Sequence, residues 1–135
     1  MKILLAILLF VSFQGDNKLT IEKTWTRVSA EGTNTAFFFD VVNNSNQPDT
    51  LYNVESTVAE LTEIHETYKV DGKMGMRKIP FIVIPANSTF NFKPRSYHIM
   101  LIGLNKDINA NDVVELTVYF KKAGKMILKG TARTM

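Results

Sequence analysis

The chain has 135 residues, is 45% hydrophobic and 21% charged, and contains no cysteine. That length suits one domain with a real hydrophobic core. The lack of thiols excludes disulfides, cysteine nucleophiles, zinc-thiolate sites and blue-copper centres. The net charge is +3, of which Lys2 carries one unit, leaving +2 for the rest; so small and scattered a charge does not suit nucleic-acid binding.

Lys2 precedes an unbroken apolar run from Ile3 to Phe13, and polar Gln14, Gly15, Asp16 and Asn17 follow. The run is shorter than the roughly 20 residues a membrane-spanning helix needs. A positive start, a short apolar stretch and a polar exit predict a secretory signal over residues 1–15, with a folded domain over 16–135. No cysteine follows the run, so lipid attachment through an N-terminal cysteine is not expected.

Beyond the leader the chain reads as short strands between turns. Ala36–Val42 is aromatic and β-branched, and the Asn43–Pro48 segment ends it. Leu51–Val58 and Glu60–Tyr68 follow. Asp71-Gly72 separates Tyr68-Lys69-Val70 from Lys73-Met74-Gly75-Met76, a hairpin signal. Phe81–Ile84, Thr89–Phe92, Tyr97–Ile102, Val113–Phe120 and Lys125–Ala132 complete the set. Strands at this spacing, without a helical period, predict an all-β sandwich or barrel.

No G-x-S-x-G, phosphate-binding loop or H-E-x-x-H occurs, so no enzyme activity is expected. The two histidines, His65 and His98, and the six methionines say more. Strand alternation places His98 and Met100 on one face and Ile99 on the other. Met74 and Met76 also share a face, on the strand leaving the Asp71-Gly72 turn, while His65 lies on the strand entering it. The hairpin can therefore hold His65 beside a methionine, with His98 and Met100 arriving from a third strand. A methionine on a strand is most often core filler, and a lone histidine is more often a hydrogen-bonded surface group than a ligand. Together, however, imidazole and thioether form a soft donor set that selects copper(I) over zinc, magnesium or calcium. Without a thiolate, storage or transfer of copper(I) fits better than electron transfer.

Met76 lies eleven residues after His65, and His98-Ile99-Met100 begins twenty-two residues after Met76. This spacing resembles the periplasmic copper chaperones called PCu(A)C, whose motif is a His, ten residues, a Met, twenty-one residues and His-x-Met. Trp25-Thr26-Arg27, Asn43, Asp49-Thr50-Leu51, Glu63-Ile64-His65-Glu66, Asp71-Gly72, Ile84-Pro85-Ala86, Tyr97–Leu104 and Lys122-Ala123-Gly124-Lys125 are similar to further family landmarks, across roughly residues 21–130. The resemblance implies a cupredoxin-like Greek-key sandwich in the periplasm, with copper(I) bound by His65, Met76, His98 and Met100. It also implies delivery to the apo CuA subunit of cytochrome c oxidase, alongside Sco-type proteins. Apolar residues of Tyr97–Leu104 are expected to shield the ion. Met74 falls outside the spacing and is expected to pack, or to serve as a substitute or supporting ligand. Thr67 stands where many relatives carry a methionine, and the C-terminal residues contain no histidine, so a second copper site is not expected.

Overall fold

A computed structural model describes residues 18–134; the expected leader lies outside the described residues. Ten strands and no helix are found among the described residues: β1 (Leu19–Arg27), β2 (Thr35–Asn43), β3 (Asp49–Glu55), β4 (Ala59–Val70), β5 (Lys73–Lys78), β6 (Ile82–Ile84), β7 (Ser88–Phe92), β8 (His98–Leu104), β9 (Val113–Phe120) and β10 (Gly124–Arg133). The all-β sandwich class is borne out.

The strands form one hydrogen-bonded path in the order β5-β4-β8-β2-β1-β10-β9-β3-β6, with β7 added beside β2. The path folds over into two layers around one core. Phe37, Phe39, Val41, Ile64, Ile99 and Leu101 of the first layer meet Leu51, Val114, Leu116, Val118, Phe120 and Leu128 of the second. Most pairs are antiparallel, whereas β1 and β10 run parallel, with Trp25 opposite Thr131. A parallel neighbour needs a long crossover connection, and here nearly the whole domain supplies it.

Nine strands fall close to their expected positions; β1 does not figure among the expected ones. Its pairing with β2 slips between Glu22 and Trp25, where Lys23 has φ 57°. Such a bulge inserts one residue and reverses the parity of the strand. Leu19 and Ile21 pack on the core before it, and Val28 packs there after it. Thr26 is also buried and donates its hydroxyl to the Ala36 carbonyl at 2.8 Å. A strand that changes parity midway shows no single alternation.

Gly130 lets β10 lie against the first layer. A Cβ there would sit 2.6 Å from the Phe37 ring and 3.3 Å from the Trp25 Cα. Phe37 is fully buried and cannot move aside, so Gly130→Ala is expected to destabilise the fold by about 1–3 kcal/mol through overpacking. Urea unfolding followed by tryptophan fluorescence measures this; an unchanged midpoint would show that the layers are less tightly joined.

Candidate metal centre

The outer face of the first layer collects the residues of interest. Pairing between β4 and β8 sets His65 opposite His98, and Glu63 opposite Met100. Pairing between β4 and β5 sets Thr67 opposite Met76, and His65 opposite Lys78. Directly paired residues share a face, and each strand repeats with period two. His65, Met74, Met76, His98 and Met100 therefore all project from one side, while Ile64 and Ile99 project into the core from the other.

The two imidazole rings lie with centroids 5.6 Å apart. His65 Nε2 lies 2.9 Å from Glu63 Oε1, and a carboxylate only accepts, so Nε2 carries the proton. His98 Nδ1 lies 3.1 Å from the Ser96 carbonyl oxygen, so there Nδ1 is the donor. The remaining nitrogens, His65 Nδ1 and His98 Nε2, are buried and have no hydrogen-bond partner among the described residues. A buried polar atom without a partner is costly and unusual. Two of them, as free lone pairs on adjacent strands with both tautomers held in place, could serve as a pair of donors to a metal ion.

A cleft of about 790 Å³ opens over this face, lined by His98, Met100, Met76, Met74, Thr67 and Phe38 among others. His65 lies outside the lining and reaches the site from beside His98. The cleft walls carry Arg27 and Arg95 but no carboxylate. Nor do three His, Cys, Asp or Glu side chains converge anywhere among the described residues. Any ion held here would draw on thioether sulfur to complete its shell, which suits a soft monovalent cation.

Of the four expected ligands, the structure brings three to one cleft and sets the fourth against it. The expected apolar shield is differently built. Ile99 and Leu101 are buried in the core, because the alternation that turns His98 outward turns them inward, and Leu104 is buried at the far end of the strand. The apolar cover comes instead from β2, whose Phe38 ring lies 6.5 Å from His98 and 4.6 Å from Trp25. Met74, expected to pack, is 57% exposed. Sequence reading missed the supporting roles of Glu63 and Ser96. Each stands two residues before its histidine, a strand-period spacing that could have revealed at least the carboxylate.

Comparisons with known proteins agree with this architecture. A family-wide sequence model described as "Putative lipoprotein LpqE-like" matches residues 19–130. An uncharacterized protein, RP573 of Rickettsia prowazekii, is 32% identical over 81% of this chain and 66% of its own length. A protein of Leifsonia xyli named as a putative lipoprotein, Lxx21020, is 31% identical over 74% of this chain and 60% of its own length. The chain thus spans slightly less than two thirds of either relative. The solved copper-bound PCuAC domain from PmoF2 is 25% identical, with TM-score 0.73, covering 88% of this chain and 95% of that one.

Burial holds the His98 pKa below its ordinary value of 6.5; nearby His65 and Arg27 push the same way, and the hydrogen bond to Ser96 opposes them. The unfolded chain takes up a proton here near pH 6.5, whereas the folded chain does not until lower pH. Stability should therefore decline as pH falls from 6.5 toward the folded-state value. An NMR titration of the metal-free protein is expected to place the His98 midpoint below 6.5, and a midpoint at or above 6.5 would contradict the geometry described.

Proposed function

The chain belongs to the LpqE-like family, which is of the PCuAC type, and on that premise we propose that it is an extracytoplasmic copper(I) carrier, not an enzyme. We further propose that it works in the periplasm and delivers copper to the apo CuA site of cytochrome c oxidase, with Sco-type proteins as companions in the same assembly. Copper is cargo in this reading. The observation that carries it is the pair of unpartnered nitrogens, His65 Nδ1 and His98 Nε2, on paired residues of adjacent strands, of which His98 lines the methionine-bearing cleft.

His65, His98, Met76 and Met100 would hold the ion. The two histidines supply fixed donors on neighbouring strands, so little ordering is needed when the metal arrives. The two thioethers supply softness and leave easily. Met76 is 53% exposed while His98 is 4% exposed. The ion would therefore sit between an anchored inner side and a yielding outer side, the asymmetry that transfer to a partner requires. Glu63 orients His65 and also lies 3.7 Å from Lys78, which keeps the carboxylate on the site face.

Anaerobic competition against a copper(I) chelator is expected to show one ion bound. Met76→Ile or Met100→Ile should weaken binding while leaving the circular dichroism spectrum unchanged. Glu63→Gln, whose amide can donate to His65 Nε2 and so favour the wrong tautomer, should cost about tenfold in affinity. Affinity should also fall on acidification, because a ligating imidazole must be neutral. An affinity that stays flat until the protein itself unfolds in acid would remove the histidines from the site.

The recipient is tested separately, by mixing the copper(I)-loaded protein with an apo CuA domain, then adding a one-electron oxidant and following the purple mixed-valence absorption of the filled site. Tight copper(I) binding without transfer would make the protein a copper buffer.

A further inference from the structure

We propose that Met74 is an outer copper(I) ligand, a landing thioether through which the ion enters and leaves the set formed by His65, Met76, His98 and Met100. The proposal rests on the copper(I) reading above and adds a second station to it.

The register supplies the geometry. Along β5, Lys78 is opposite His65, Met76 opposite Thr67, and Met74 opposite Lys69. Met74 therefore stands on the same face as Met76 but one pleat farther from the histidines, about 7 Å along the strand. Both line the cleft, and both are more than half exposed, Met74 at 57% and Met76 at 53%. Neither is core filler. A methionine left in water on a strand edge gains nothing from packing, whereas its flexible thioether can swing across a gap of that size.

The rear of the hairpin is braced. Arg77 Nε donates to Glu66 Oε2 at 2.6 Å, and its guanidinium stacks over the Tyr68 ring at 4.5 Å. The Tyr68 ring in turn fills the space above Gly75, where a Cβ would lie 2.7 Å from it. These contacts hold β5 against β4 on the face away from the cleft, so any movement of copper along the front is a movement of side chains.

Charge points the same way. The cleft lining bears Arg27 and Arg95 without a carboxylate, and the nearby Glu63 is engaged by His65 and Lys78, so the cleft itself offers a hard cation no anionic ligand. Capture then begins on a soft, neutral, exposed donor, and Met74 is the one of the two exposed methionines that stands farther from the histidines. The step is ligand exchange alone: a bond from copper to the Met74 sulfur forms as a bond to one inner ligand breaks. The ion stays copper(I) and no electron moves.

The test uses the full chain, copper-loaded under anaerobic conditions, with bathocuproine disulfonate as acceptor in stopped flow. Met74→Leu is expected to change the equilibrium copper(I) affinity by less than about threefold while slowing exchange about tenfold in both directions. Selectively labelled methionine methyl groups give a second readout, with the Met74 resonance shifting on copper(I) addition and the melting temperature of the variant unchanged. Unchanged exchange in Met74→Leu, or an affinity loss as large as that of Met76→Ile, would overturn the outer-ligand role. If the wild-type chain binds no copper(I), the carrier reading falls instead, which the competition titration shows before any variant is made.

Discussion

The antiparallel register between β4 and β8 is the constraint on which this molecule depends. It sets His65 opposite His98, and by the same hydrogen bonds it sets Ile64 opposite Ile99. A slip of one residue would exchange the faces, turning the imidazole into the apolar core and isoleucine out of it. Core packing of Ile64, Ile99 and Leu101 therefore enforces the spacing of the two histidines. Hydrophobic free energy on one side of the sheet holds the geometry of polar groups on the other. No disulfide or loop closure contributes, since the chain contains no cysteine.

Fixed position would be of limited use without fixed protonation. The Glu63 carboxylate and the Ser96 carbonyl each accept from one ring nitrogen, leaving the other as a lone pair. The penalty of keeping those lone pairs buried and unpartnered is borne by the fold as a whole, and is the kind of local disadvantage that concentrates at functional positions. Burial also keeps His98 neutral, as a ligand has to be, by holding its pKa down. Aromatic and cationic groups complete the surroundings: Arg133 lies 4.0 Å over Trp25, Trp25 packs on Phe38, and Phe38 approaches His98. This stack covers the inner side of the site, and β5, at the end of the strand order, covers the outer side with a single strand.

That contrast suits a carrier. A site enclosed on all sides would hold an ion well and release it slowly, while one built on flexible side chains alone would release it readily and select poorly. In the proposed site the inner donors would come from β4 and β8, adjacent strands within the sheet, and the outer methionines from the edge strand. Sheet edges ordinarily invite pairing with other chains, and β5 carries Lys73, Arg77 and Lys78, charges that discourage it. The strand can then present its methionines without becoming a site of aggregation.

Much of this was legible from residue order. Alternation in Val113–Phe120 and the Asp71-Gly72 turn mark strands directly, because period two and a positive-φ turn are local properties. His98-x-Met100 and Met74-x-Met76 declare a shared face for the same reason. What local pattern could not convey was β1, whose bulge at Lys23 reverses its parity. Nor could it convey the source of the apolar cover, which comes from Phe38, sixty residues away in the chain from His98. The sequence by itself determined an all-β chain with soft donors at strand spacing. Only the tertiary structure decided which strands lie side by side, which nitrogen of each imidazole is left free, and that Met74 faces the cleft. Cross-strand register and burial are set by contacts between distant segments, and no window along the chain contains them.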